Sequence, residues 1–121
     1  MSYSRKILGA KGERIAREHL KKNFYHILAE NYRTKFGELD IVAKEGEVLV
    51  FVEVKTRIGR EYGLPQEAVD FRKQNKIIRA ALKYIEDHHL SGTWRVDVIA
   101  IELDWQGKMQ YFEHIRNAVM R

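Results

Sequence analysis

The stretch VLVFVEVK, residues 48–55, decides how this chain folds. Side chains of a β-strand alternate between the two faces of its sheet, so the four valines share one face, and the other face ends in Glu53 and Lys55. A strand that is apolar on both faces is typical of the middle of a sheet covered on both sides. We therefore expect a central strand that ends in an acidic and a basic side chain pointing the same way.

The sequence around this strand predicts a helix before the sheet and a long helix within it. The period of the apolar residues and the turn signals place the elements as follows: a helix over residues 4–23, strands over 25–33, 38–44 and 47–55, a loop over 56–64, a short helix from Pro65, a longer helix from the N-cap Asp70 to about His89, and strands over 93–103 and 108–115. The order is helix, three-strand meander, helix, two strands. This order predicts an α/β fold with a mixed central sheet flanked by helices, in which strand 93–103 lies parallel to strand 47–55.

Length and composition narrow the class of protein. A chain of 121 residues can form one domain, residues 1–121, with a core of its own. The 22 Lys and Arg against 17 Asp and Glu give a net charge of +5, which favours a polyanionic partner such as nucleic acid or an anionic membrane surface. The absence of cysteine excludes disulfides, zinc–thiolate sites and cysteine nucleophiles. Because no apolar run suits a signal peptide or a membrane span, we expect a cytoplasmic protein without a membrane partner.

A second acidic residue lies on the neighbouring predicted strand, residues 38–44. Strict alternation places Glu38 and Asp40 on one face and the apolar Leu39, Ile41 and Ala43 on the other. The direction of Asp40 relative to the central strand therefore decides whether it can meet Glu53.

Two carboxylates and an ammonium group converge if Asp40 points the same way as Glu53 and Lys55. Burying a carboxylate costs several kcal/mol unless a partner compensates its charge, so a buried pair of acidic residues indicates a functional role. Two such oxygen ligands can hold Mg²⁺ or Mn²⁺. An adjacent lysine can orient a water molecule as the ammonium, or deprotonate it as the neutral amine, during phosphodiester cleavage. The alternative is an ordinary Glu–Lys pair at the sheet edge with an unrelated Asp in a turn.

These residues belong to a longer pattern that resembles a known family. The segments GELDIV, residues 37–42, and VFVEVKTR, residues 50–57, resemble the Asp…Glu-x-Lys signature of the restriction-endonuclease-like superfamily, and more narrowly the YraN-like family of small bacterial proteins. The resemblance extends over nearly the whole chain and includes Gly9-x-x-Gly12-Glu13-x-x-Ala16, Asn31-x-Arg33, Gly63-x-Pro65-x-Glu67-Ala68-Val69, Lys73 and Arg95-Val96-Asp97-Val98. The fold that this family implies is similar to that of archaeal Holliday-junction resolvases, which are Mg²⁺-dependent nucleases.

The resemblance also implies roles for individual residues. It makes Asp40 and Glu53 the metal ligands, Lys55 the catalytic lysine and Glu13 an additional acid from the first helix. The alternative for Glu13 is a surface pair with Arg17 at i+4. The superfamily often has proline before its first acid, where this chain has leucine.

Several further residues are candidates for the same site or for nucleic-acid contact. Gln74 is the polar residue on the apolar face of the long helix, so it either satisfies a buried backbone group or leans over the active site. The candidates for binding phosphate are Arg57 and Arg60 after the central strand and a row on the long helix, namely Arg72, Lys76, Arg79 and Lys83. The row is equally typical of the solvated side of an amphipathic helix. Arg95 and Asp97 share a strand face and are expected to pair with each other for structure.

The function that fits best is a metal-dependent hydrolase, an endonuclease or exonuclease that cuts branched or single-stranded DNA in repair or recombination. The alternatives are a nucleic-acid-binding module with a nuclease-like fold and no catalysis, and a scaffold in DNA repair. A monomer and a homodimer both fit the sequence.

Overall fold

The computed structural model describes residues 2–59 and 71–118, which form two helices and five strands. In chain order they are α1 (Arg5–Lys22), β1 (His26–Thr34), β2 (Gly37–Glu45), β3 (Val48–Ile58), α2 (Phe71–Asp87), β4 (Trp94–Leu103) and β5 (Met109–Ile115). The predicted α/β order is confirmed. No helix in this part of the chain is long and apolar enough to cross a membrane.

The strands form one mixed sheet in the order β1-β2-β3-β4-β5. The first three strands make the predicted antiparallel meander. The next pair is parallel, with a register that runs from Leu49 opposite Trp94 to Ile58 opposite Leu103. Strand β5 then returns antiparallel to β4. The parallel pairing follows from the crossover through α2, as the order of elements predicts.

Helices cover both faces of the sheet, so β3 is buried on both sides, as its sequence predicts. The cluster under α1 contains Leu8, Ala16 and Leu20 of the helix packed with Val50 and Val52. The cluster under α2 consists of helix and sheet residues that are also buried: Ile77, Ala80, Ala81 and Tyr84 with Leu49, Phe51 and Val96. Glu53 and Lys55 follow Phe51 by alternation and therefore belong to the α2 side.

The predicted alternation in β2 is wrong at one residue. Leu39 packs with Val42 in the cluster under α2, whereas Ile41 and Ala43 pack under α1. The alternation therefore shifts by one residue around Asp40. The shift coincides with the end of the β2–β3 pairing at Ile41.

The predicted loop over residues 56–64 is wrong in its first part, because β3 continues to Ile58. Thr56, Arg57 and Ile58 pair in parallel with residues 101–103 of β4, and Ile58 is buried. This long-range pairing outweighs the local turn signal of the glycine that follows. The short helix from Pro65 and the N-cap Asp70 lie outside the described residues, and α2 ends two residues before His89.

Helix α1 approaches β3 closely at Gly12. A Cβ atom at this position would collide with the side chain of Thr56, whose Cβ and Cγ2 atoms would both lie at 2.9 Å. We expect Gly12→Ala to destabilise the protein by about 1–3 kcal/mol, because overpacking outweighs the usual helical gain of alanine over glycine. Urea unfolding measures the effect. Gly9→Ala is the matched control, since a Cβ there meets nothing within 4 Å; equal stability of the two variants would contradict the prediction.

Candidate active site

The candidate site lies where β2 and β3 stop pairing. Their ladder runs from Glu45 opposite Val48 to Ile41 opposite Val52. Beyond this ladder, β2 continues to pair with β1, and β3 continues to pair with β4. The side chain of Asp40 reaches across this opening and accepts a hydrogen bond from the Val54 N–H at 2.8 Å. The Asp40 carboxyl is thereby held at the edge of β3.

The structure brings the carboxyl groups of Asp40 and Glu53 together. Burial and then the negative charge of Glu53 raise the pKa of Asp40 to about 7, although the Val54 N–H acts in the opposite direction. A hydrogen bond with the Glu53 carboxyl and the more distant charge of Glu13 add to the increase. Two acids that meet in a partly dry site cannot both ionise without cost, so this pair favours either a shared proton or a cation.

Two ammonium groups contact Glu53, which is only 8% exposed. The Nζ atom of Lys55 lies 3.7 Å from Glu53 Oε1, and that of Lys73 lies 3.3 Å from the same oxygen. Lys55 comes from the same strand, as predicted. Lys73 comes from the first turn of α2, and no chemical role for it could be predicted from the sequence. Nothing in its local pattern separates it from the other cations of α2; only the packing of the helix on the sheet brings it to Glu53.

Glu13 lies on the α1 side of the same sheet edge. It lines an open groove of about 500 Å³ together with Val54, Lys55 and Thr56 of β3. Arg17, its alternative partner, instead pairs with Glu30 at 3.2 Å. Glu13 is therefore placed beside the candidate site by the close approach of α1.

The donor set suits a hard cation that needs few protein ligands. Among residues 2–59 and 71–118, no three His, Asp or Glu side chains form a group ready to hold a metal. Asp40 and Glu53 supply two carboxylates, and Mg²⁺ commonly binds one or two carboxylates while it keeps several waters. The pair therefore fits Mg²⁺ or Mn²⁺ with a largely aqueous coordination sphere.

The predicted phosphate-binding residues within the described ranges lie on β3 and α2. Arg57 is half-buried within β3, opposite the buried Glu102 in the parallel register, rather than in a loop. Gln74 is half-buried on α2. Lys83 pairs with Asp87 at 3.1 Å. The other three cations of the α2 row are exposed, namely Arg72, Lys76 and Arg79, and Arg60 lies outside the described residues.

A second polar cluster, centred on Asp97, lies on the α1 face of the sheet. Asp97 is fully buried and accepts hydrogen bonds from Arg95 Nε at 2.9 Å, His114 Nε2 at 2.8 Å and the Asn117 N–H at 3.0 Å. Burial alone would raise the pKa of Asp97, but these hydrogen bonds outweigh it and lower the pKa to about 2. The expected Arg95–Asp97 pair is thus confirmed, within a larger network.

The network continues through two histidines into α1. His114 Nδ1 lies 3.0 Å from His19 Nε2. If Asp97 accepts a hydrogen bond from the His114 Nε2–H, then His114 Nδ1 can accept a hydrogen bond from the His19 Nε2–H, so one tautomer of each ring satisfies both contacts. Burial lowers the pKa of His19, in agreement with a neutral His19 ring. The chain of hydrogen bonds ties α1 to β5, and the sequence did not reveal it because the histidines are 95 residues apart.

The raised pKa of Asp40 predicts how stability changes with pH. The folded protein holds this proton more tightly than the unfolded chain, so the contribution is present below pH 4 and is lost as the pH rises through 7. We therefore expect Asp40→Asn to be more stable than wild type by up to about 4 kcal/mol at pH 8 without metal, and about equally stable at pH 4. Urea unfolding in EDTA at both pH values measures this difference. If the difference in stability between Asp40→Asn and the wild type were the same at pH 4 and pH 8, the placement of Asp40 beside Glu53 would be contradicted.

Comparison with known proteins gives one consistent result. The sequence model of a family described as "Uncharacterised protein family UPF0102" matches residues 12–101, which include every residue of the candidate site. A UPF0102 protein of Pelotomaculum thermopropionicum is 42% identical over 119 residues, which cover 98% of this chain and 99% of that protein. One from Geobacter metallireducens is 46% identical over 119 residues, covering 98% and 96%. One from Clostridium botulinum is 44% identical over 120 residues, covering 98% of both.

Proposed function

This chain belongs to the UPF0102 family, and from that premise we propose that it is a Mg²⁺-dependent nuclease of the restriction-endonuclease-like superfamily, which hydrolyses phosphodiester bonds in DNA. The observation that carries the proposal is the meeting of the Asp40 and Glu53 carboxyl groups beside two ammonium groups at the end of the central strand. Perturbed acids of this kind are concentrated at functional sites, because folding alone gains nothing from them.

Each side chain has a role that follows from its position. Asp40 and Glu53 would hold the cation, and the pKa of about 7 means that Asp40 gives up its proton readily near neutral pH. Bound Mg²⁺ supplies a Lewis acid for the phosphate and acidifies a coordinated water. Lys55 as an ammonium would orient the attacking water by donating a hydrogen bond to it, and only as the neutral amine could it accept a proton from that water. As cations, Lys55 and Lys73 would together offset negative charge on the phosphate oxygens.

A nucleic-acid-binding module without catalysis is the second candidate. The observation that favours it is that both ammonium groups already pair with Glu53, at 3.7 and 3.3 Å, and so compensate the carboxylate without a metal. Such a module would bind DNA with an affinity that falls steeply with salt, and it would give no metal-dependent products.

The test is a cleavage panel over single-stranded, duplex, flap and four-way DNA in Mg²⁺, Mn²⁺ or EDTA. Glu53→Gln protein, purified in the same way, serves as the blank for contaminating nucleases. We expect products from the wild type in Mg²⁺ or Mn²⁺ and none in EDTA or with the blank. Equal products from both proteins, or none from either, would overturn the nuclease proposal; salt-dependent binding without products would support the binding module.

A further inference from the structure

The groove beside α1 ends at the candidate active site. We call it the α1 groove, and it is lined by five residues of the helix and three of β3, namely Arg5, Lys6, Gly9, Ala10 and Glu13 with Val54, Lys55 and Thr56. Its volume is about 500 Å³. Val54 provides the N–H that binds Asp40, and Lys55 contacts Glu53. A ligand in the groove would therefore lie against the two residues that contact these carboxylates.

The outer end of the α1 groove carries positive charge without a local counter-charge. Arg5 and Lys6 are exposed, and neither makes an ion pair with any residue of the described ranges. Arg5 is held in place by the ring of Trp105, whose centroid lies 5.3 Å from the guanidinium carbon. By contrast, Lys83 in the row on α2 is already bound to Asp87. Cations whose charge is not neutralised by an ion pair with an acidic side chain attract a polyanion most strongly.

Small residues leave room for a ligand between these cations and β3. An added Cβ at Gly9 would meet nothing within 4 Å, and Ala10 is exposed. An aromatic ring, Tyr3, is 49% exposed just before the helix and lines a second groove that shares Ala10. Basic grooves flanked by exposed aromatic rings are typical of sites that follow a single nucleic-acid strand.

We propose that the α1 groove binds the sugar–phosphate backbone of the DNA strand next to the bond that is cut. Arg5 and Lys6 contact phosphates at the outer end, and Glu13 and Lys55 border the strand where it enters the site. This inference rests on the proposed function, because Val54 and Lys55, which line the groove, contact the two carboxylates of the proposed site. The groove is proposed in addition to the row on α2, in which Arg72, Lys76 and Arg79 are also exposed.

The test measures binding without cleavage. Labelled single-stranded DNA is titrated with protein in EDTA at several salt concentrations, and fluorescence anisotropy gives Kd. Arg5→Ala/Lys6→Ala should weaken binding by about tenfold and reduce the salt slope by about 1.4, since each phosphate contact on a single strand contributes about 0.7. Lys21→Ala/Lys22→Ala is the matched control, because it removes the same charge from exposed positions at the other end of α1. Thermal unfolding of both double variants verifies that they fold.

The outcomes separate this inference from the proposed function. Equal weakening by both double variants would mean that DNA is attracted by net charge alone, and this would overturn the proposed binding in the groove. Unchanged binding by Arg5→Ala/Lys6→Ala, or no binding by the wild type, would overturn it as well. A wild type that binds through the groove but gives no products would overturn only the nuclease activity. In the cleavage assay the groove variant should raise KM and leave kcat within a few fold, as expected for contacts made equally in the ground and transition states.

Discussion

Replacing Glu53 with Gln is expected to lower the rate of DNA cleavage in Mg²⁺ by about a thousandfold. Gln has the same shape but no charge, so the cation loses one of its two protein ligands. The change also leaves Lys55 and Lys73 without their shared carboxylate. Because the site then presents one negative charge fewer to the phosphate, DNA affinity in EDTA should be equal or higher. A fall in kcat with retained binding is the signature of a group that acts in the transition state.

The matched control is Glu47→Gln, the same substitution at an exposed position just before β3. It should cleave DNA at the wild-type rate. Single-turnover measurements with saturating Mg²⁺ compare the two variants with the wild type. Glu53→Gln protein that retained more than a tenth of the wild-type rate would exclude Glu53 from catalysis.

Replacing Asp97 with Ala is expected to destabilise the protein by about 3–5 kcal/mol, the usual cost of breaking a buried ion pair by removing one partner. Asp97 is fully buried and holds the side chains of Arg95 and His114 and the N–H of Asn117. With its pKa lowered to about 2, its contribution is present above pH 4 and is lost as the pH falls towards 2. The loss would loosen both β5 and the link from His114 to His19 in α1.

Urea unfolding at pH 7 measures the effect, and Asp87→Ala is the control. Asp87 also pairs with a cation, Lys83 at 3.1 Å, but it is exposed, so its removal should change stability by less than about 1 kcal/mol. A similarly small change for Asp97→Ala would show that the Asp97 network contributes little to the free energy of unfolding. Under conditions where the Asp97 variant stays folded, its DNA cleavage should match the wild type within a few fold, because the network lies on the face of the sheet opposite Glu53.

The element order, the parallel crossover and the burial of β3 on both faces could be predicted from the sequence. These features depend on local regularities, namely the period of apolar residues in a helix and their alternation in a strand. The alternation in β3 also predicts that Glu53 and Lys55 share one face, because residues two apart in a strand point the same way. The resemblance to a known family added to these residues Glu13, whose position at the border of the apolar stripe of the first helix fits both a site residue and a surface acid.

Only the tertiary structure decided which of these residues meet. Strict alternation failed at Leu39, because β2 leaves β3 at that point, and this departure allows Asp40 to bind the Val54 N–H. Residues 56–58 became a strand because β4 offered them a partner. Lys73, like the histidines of the Asp97 network, acquires its contact from packing between distant segments. Such contacts depend on how helices dock on a sheet, and a local pattern contains no information about the partner that lies across that interface.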